Sequence, residues 1–336
     1  MEDERWDDLL QSHPQASIFH TRAWMQALRT TYGYQPLAFT TSPPGTPLTN
    51  GTPFCKITGL FGKSRLVSLP FSDHCEPLVE TDAQLNCLLD HLWQRRERDG
   101  LDYVEIRPQT NMAITQEFVP TQSFLLHQLD LRQDLSEILW NTHKDCIQRK
   151  VRRAEREGLV TRKGLSESLL SHFYRLLVIT RLRHGLPTQP IEWFRNLLTY
   201  LGDQLTIRVA YKDRHPVASI LTLRFKNVLI YKYGCLNRRF GRLGGMQLLL
   251  WQAIQDAKRE RLLEFDLGRS ECDNSGLIIY KDRWGASRSH MAYHRIGKHN
   301  SHPLATVQPS IRKYLWSCAP SPLRLAASRA LYRHLG

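Results

Sequence analysis

Between Leu262 and Gly285 the chain places three ionisable side chains, Asp266, Arg269 and Lys281, where they could act together. Leu263, Phe265 and Leu267 alternate with Glu264 and Asp266, the period of a half-buried strand. Gly268 ends that strand and Arg269 follows it. The stretch Asp273-Asn274-Ser275-Gly276 is turn chemistry able to cap a helix from about Ser275, and Gly285 suits its end. On that helix Lys281 falls on the apolar stripe with Leu277 and Trp284. Two readings compete. Either the lysine stem lies on apolar surface with its head in water, or the ammonium joins Asp266 and Arg269 in a charged pocket. The second reading carries chemistry: a fixed cation steadies a developing oxyanion, and a carboxylate orients a group or takes its proton.

The rest of the chain must position those groups. With 336 residues it is long enough for about two domains, and 41% hydrophobic with 23% charged residues is an ordinary globular composition. Residues 17–32 read as a capped helix, Gln35–Thr40 as a strand, and Phe54–Thr58 with Arg65–Leu69 as a hairpin. A helix over 83–98 turns Leu85, Leu88, Leu89, Leu92 and Trp93 inward, and Asp102–Arg107 and Phe124–Leu131 are strands. The second half repeats this plan. Leu205–Tyr211 is a strand, His215–Phe225 and Val228–Tyr233 pair as a hairpin, and a helix over 244–261 leads into the Asp266 strand. His290–Ile296 is the last strand. The fold class is therefore α/β, with mixed sheets in two copies of one unit. The expected domains are 1–134 and 135–299, followed by a basic tail, 300–336.

Charge is concentrated. Lysine and arginine exceed aspartate and glutamate by 46 − 32 = +14. Eight bases stand against three acids in 141–163, and the tail holds five bases and no acid. Such patches suit a polyanion: nucleic acid, a phosphorylated substrate or an anionic membrane surface. Arg149, Arg152, Arg153 and Arg156 form one helical stripe, with no acid inside Arg149–Arg153; the alternative is a solvated face paired with nearby glutamates. In the tail, Leu323, Leu325, Ala326 and Leu331 with Arg324, Arg329 and Arg333 resemble an interfacial helix, against a tail packed on its own domain. No apolar run of 18 residues exists, the acidic N-terminus lacks a leader's apolar stretch, and seven cysteines make no C-x-x-C. The expected compartment is the reducing cytoplasm, with a peripheral seat at the inner membrane face as one of the two readings of the tail, and no metal is expected.

Other polar groups join the candidates. Asp73, His74 and Glu76 end a first-half strand, and any of the three could be a base; Cys75 as a nucleophile has no histidine fixed beside it. His184 closes a helix before the stiff loop Gly185–Pro190, where it is a base or a partner of the helix dipole. Tyr233, Arg149 and Arg153 complete the substrate-binding set. Arg238, Arg239, Gly241, Arg242 and Gly244 form a glycine-bearing entry to a helix, suited to a phosphate.

The run from Tyr231 to Ala257, the block FDLGRS…DNSGLIIYKDRWGA, the opening SIFHTRAW and the helix RKVRRAEREG resemble Fem-type aminoacyltransferases of the GNAT superfamily, in their envelope-polysaccharide-associated branch. The resemblance covers roughly residues 15–296. It implies two GNAT-like domains joined by a cleft, and transfer of an acyl or aminoacyl group to an amine of a cell-envelope or exopolysaccharide precursor. The donor it implies is acyl-coenzyme A or aminoacyl-tRNA; the acceptor is a phosphorylated or lipid-linked sugar or amine. It also implies that Lys281, in GL-x-x-Y-K, matters for activity. One departure stands out: the coenzyme A loop pattern (R/Q)-x-x-G-x-(G/A), framed from Arg238, meets Leu243 where a small residue belongs. The reading of a different class is a non-catalytic RNA- or membrane-binding protein on the same fold.

Overall fold

The computed structural model describes residues 3–59, 62–110, 118–297 and 331–334. It divides into two compact units, and the chain passes between them at 124/125 and again at 289/290. The strand His290–Ile296, read from sequence as the end of the second domain, thus belongs with the first unit. The first boundary falls ten residues before the expected one.

In the first unit, α1 (Arg5–Ser12) and α2 (Arg22–Tyr32) precede β1 (Gln35–Phe39), β2 (Thr52–Thr58) and β3 (Ser64–Val67). Thr21 caps α2 by accepting from Trp24 N, and Gly33 ends it at φ +73°. β1, β2 and β3 pair antiparallel, α3 (Asp82–Arg98) crosses over, and β4 (Tyr103–Ile106) lies parallel to β3. Phe54, Leu66, Leu85, Leu89, Val104 and Ile106 form the core beneath α3. Trp93 is not among them: it stands 45% exposed on the outer face of α3, because the inward stripe already closes with Leu89 and Leu92. β5 (Val119–Asp130) carries the chain into the second unit.

The second unit opens with α4 (Leu135–Asn141), a π turn at Lys144–Gln148 and α5 (Arg149–Arg156). Helical structure is thus interrupted between Asn141 and Lys144, where His143 accepts from Asp145 N and Cys146 N. β6 (Val160–Gly164), α6 (Glu167–Arg183), α7 (Ile191–Leu201), β7 (Leu205–Lys212), β8 (His215–Phe225) and β9 (Val228–Leu236) follow. β6 to β9 pair antiparallel in order, α8 (Gly245–Arg259) crosses over, and β10 (Glu264–Glu271) returns parallel to β9. This is the order of the first unit again: antiparallel strands, a crossover helix and one parallel strand. α8 buries Leu248, Leu249, Leu250, Ala253 and Ile254 against that sheet. α9 (Ser275–Asp282) and β11 (Ser287–Gly297) complete the elements, and β11 pairs with β4 in the first unit. Among the described residues no helix is long and apolar enough to cross a membrane.

Of the proposed interfacial tail, residues 303–330 lie outside the described residues. Leu331–His334 form a helical turn on the first unit, where Tyr34 Oη donates to Tyr332 O at 2.6 Å and Arg65 to His334 O at 2.5 Å.

Candidate active site

The corner between β10 and α9 is built from backbone. β9 and β10 pair only from Val228↔Glu264 to Ile230↔Asp266; both strands then run on, to Leu236 and Glu271, without pairing to each other. Just past the opening, Gly268 adopts φ +76°. Successive carbonyls of a regular strand point to opposite sides, and a left-handed residue redirects them. Lys281 Nζ donates to both Gly268 O (2.6 Å) and Arg269 O (2.9 Å). Asp266 Oδ1 accepts from Gly268 N at 2.6 Å and fixes the bend. Asp266 is 1% and Lys281 4% exposed, so the ammonium does not reach back to water. A buried ammonium is tolerated only when hydrogen-bonded, and here carbonyls of a strand edge without a β9 partner receive it. Asn274 caps α9 by accepting from Leu277 N, and Gly285 closes it with its N–H on Asp282 O.

His127, on β5, was missed from sequence because a lone histidine in an apolar strand carries no signal. It is fully buried, with Nε2 3.4 Å from Asp282 Oδ1, next in sequence to Lys281. Burial first, and the Lys281 charge second, push its imidazole below the usual range, against a smaller pull from Asp282. A neutral imidazole therefore sits behind the lysine.

The entry to α8 is a 3-10 turn over Arg238–Leu243, in which Asn237 Oδ1 accepts from Arg239 N. Arg238, Arg239 and Arg242 are exposed around it, and α8 begins at Gly244–Gly245 with no side-chain cap. An uncapped helix start ringed by guanidinium groups favours an anion. Gly244 itself has a structural cause. It sits at φ +79°, and a Cβ there would lie 2.2 Å from Lys150 O, so α5 packs backbone-to-backbone on this loop.

The basic stripe of α5 carries local ion pairs. Asp145 pairs with Arg149 (2.8 Å) and Glu157 with Arg153 (3.4 Å), each four residues away and so one helical turn along. Tyr233 Oη accepts from Trp193 Nε1 (3.1 Å) and donates to Gln189 Oε1 (2.7 Å), a buried network beneath the Gly185–Pro190 loop. His184 is the C-terminal cap of α6, with its Nε2 2.9 Å from Arg183.

In the first unit, Asp73 O accepts from Tyr293 Oη at 2.7 Å, and His74 stands edge-on to Phe19. The Glu76 carboxylate accepts from the N–H groups of Gln109 and Thr110 and from the Thr110 hydroxyl, which clamps that loop. Cys75 is fully buried and burial raises its thiol, which makes it a poor nucleophile. Two features here escaped the sequence. Leu69 and Phe71 hold φ +51° and +63° on either side of Pro70, a strained turn leading into Asp73. Glu105 is buried on β4 and accepts from Arg107 (2.8 Å) and Arg295 (2.5 Å), with each guanidinium over a tyrosine ring. The acid in the strand run DYVEIR was the available signal.

His20 gives the first unit a titration. Its Nε2–H donates to Glu76 O, while Nδ1 accepts from Ser17 N, and burial lowers its pKa to about 4. The unfolded ring binds its proton near 6.5, so between 6.5 and 4 the unfolded state holds more protons and folding weakens as pH falls. The stabilisation of roughly 3 kcal/mol, full above pH 6.5, should be gone by pH 4. Urea unfolding across that range should show a shallower acid loss in His20→Gln than in the wild type, the difference approaching this amount. Equal slopes would remove His20 as the cause.

Comparison with known proteins bears on the fold. Residues 142–282, which hold Asp266, Arg269 and Lys281, match the acetyltransferase (GNAT) domain family. The crystal structure of FemX superposes with a TM-score of 0.70 at 13% identity, over 92% of this chain and 99% of that one. The chain thus shares the fold of FemX, and its residues 142–282 are similar to a GNAT acetyltransferase domain. A tandem GNAT protein from the clavulanic acid biosynthesis pathway shares the fold, with a TM-score of 0.54 at 11% identity over 88% of this chain and 94% of that one. The UDP-N-acetylmuramoylpentapeptide-lysine N(6)-alanyltransferase of Weissella viridescens is 22% identical over 218 residues. The match spans 61% of this chain and 59% of that relative's length. Within the GNAT domain the Asp266–Gly268–Lys281 corner lies near its C-terminal end, and the α8 entry is inside it.

Proposed function

We propose that the chain transfers an activated acyl or aminoacyl group directly to an amine of a cell-envelope precursor, through the second unit. The observation that carries this reading is the Lys281 ammonium, pinned on Gly268 O and Arg269 O where the β9–β10 ladder opens. An extended donor can lie along strand edges that have left each other, its phosphate end at the α8 entry beside Arg238, Arg239 and Arg242. The amine nitrogen attacks the donor carbonyl carbon. A C–N bond forms, and the C–S bond of a thioester or the C–O bond of an aminoacyl ester breaks. The amine proton passes to Asp266 or water, and the leaving sulfur or oxygen gains one. Lys281 supplies positive charge behind the tetrahedral oxyanion through the strand it holds. The name of the Weissella relative supports an amine acceptor in a cell-wall precursor. A phosphorylated or lipid-linked acceptor, reached at a membrane surface, fits the basic tail.

The donor is settled by titrating the purified chain with acyl-coenzyme A and, separately, with aminoacyl-tRNA, reading thermal shift and single-turnover transfer to an amine. One donor should stabilise the fold and be consumed, and Arg238→Ala with Arg239→Ala should weaken it about tenfold or more. Binding of neither donor would overturn the reading in favour of a non-catalytic protein.

A further inference from the structure

A second charged cavity lies in the same unit, away from the β10–α9 corner. β6, β7 and the C-terminal half of α8 enclose about 360 Å³, lined by Arg162, Lys163, Arg208, Gln252, Asp256 and Arg259. From Gly245 to Asp256, α8 rises about 16 Å, so this cavity is distinct from the α8 entry.

Its charge does not balance. Asp256 is the single carboxylate of the lining. Its Oδ2 accepts from Lys163 Nζ and Arg208 Nη2, both at 2.7 Å, and its Oδ1 from Arg259 Nη2 at 2.5 Å. Burial works against its charge, but those hydrogen bonds hold it below the usual carboxylate range. Three cations thus share one anion, and Arg162 adds a fourth at the rim, 5.8 Å from the centre of the Tyr211 ring. Arg208 is the telling residue. It is 5% exposed, its Nη1 donates to Thr222 Oγ1, and its Nε is buried with no hydrogen-bond partner. Burying a guanidinium with a spare N–H beside excess cations is costly unless an anion completes the set. The Gln252 amide offers a neutral donor and acceptor on the same wall.

We propose that this cavity binds a phosphate-bearing small molecule, its phosphate held by Arg208, Arg162 and Arg259. The cavity is larger than one phosphate needs, which leaves room for an organic group against Gln252. Arginine forks match phosphate oxygens in pairs, and a site walled by a buried arginine favours a compact ligand over a polymer backbone lying on the surface.

Isothermal titration of the full chain with inorganic phosphate and with pyrophosphate tests this, in dilute chloride buffer. Saturable binding should appear and fall about tenfold in Arg162→Gln and again in Arg259→Gln, both exposed and so expected to fold normally. Melting temperature checks that folding. Pyrophosphate can also seat at the α8 entry, so the Arg238→Ala, Arg239→Ala variant serves as the second arm and should leave phosphate binding here intact. No saturable binding, or binding indifferent to Arg162 and Arg259, would overturn the proposal. Tight binding of bulk RNA with none of phosphate would do the same and reassign these cations to an RNA surface.

Discussion

Lys281→Met leaves a folded protein whose transfer rate falls by about two to three orders of magnitude, the scale expected when one oxyanion-stabilising group is lost. Methionine keeps most of the length of the stem and deletes the three donors. Gly268 O and Arg269 O then lose the ammonium that faces them. Unmet buried carbonyls cost about 1–3 kcal/mol each, partly offset because a buried charge has also gone. The bend at Gly268 is held from the other side by Asp266, so the strand should survive. Single-turnover transfer with saturating donor separates the two effects: a lowered rate with unchanged donor affinity places the loss in the reaction itself. Lys281→Arg serves as a control, since it restores charge without the compact fit. A Met variant that turns over at the wild-type rate would make Lys281 a brace of β10 and nothing more.

The second large effect falls on stability. Gly244→Ala should cost about 3 kcal/mol or more. A left-handed residue with a Cβ loses about 1–2 kcal/mol, and the new methyl would sit on Lys150 O rather than on a yielding side chain. The α5 backbone must then retreat from the α8 entry, so donor affinity should fall together with the denaturation midpoint. Gly241→Ala is the contrast. Its Cβ would meet only Leu236 Cδ2, at 3.7 Å, and it should be nearly silent in stability. Similar losses in both variants would mean that the loop, and not the α5 contact, sets the cost.

What the chain disclosed in advance follows from where its chemistry is local. The alternation around Phe265, the turn residues Asp273–Gly276 and the terminator Gly285 placed β10 and α9 with Lys281 on the inward side, because each rule acts within a few residues. The repeated order of hairpin, crossover helix and parallel strand was legible for the same reason. The destination of the Lys281 ammonium was not. It bonds main-chain carbonyls, which no side-chain pattern encodes, and depends on the left-handed turn of Gly268. On α5 the partner of Arg153 was legible, since Glu157 stood among the nearby glutamates of the alternative reading, whereas Asp145, one helical turn before Arg149, lay ahead of the stripe. The cavity around Asp256 was invisible, since Arg162, Arg208 and Arg259 meet only once three elements have packed.

The return of β11 to β4 has a consequence for how the protein is made. Ile106 pairs with His294, so the first unit lacks a strand until nearly the whole described chain has been synthesised. At roughly 5–20 residues per second, that strand of the first-born unit waits on the order of 10–40 s for its partner. The second unit's stretch from Leu125 to Ser289 has all of that unit's strands among the described residues before that moment. On the ribosome the described strands of the later unit should therefore all be present before the earlier unit receives its last one, and the edge of β4 stays open to other strands until the chain comes back.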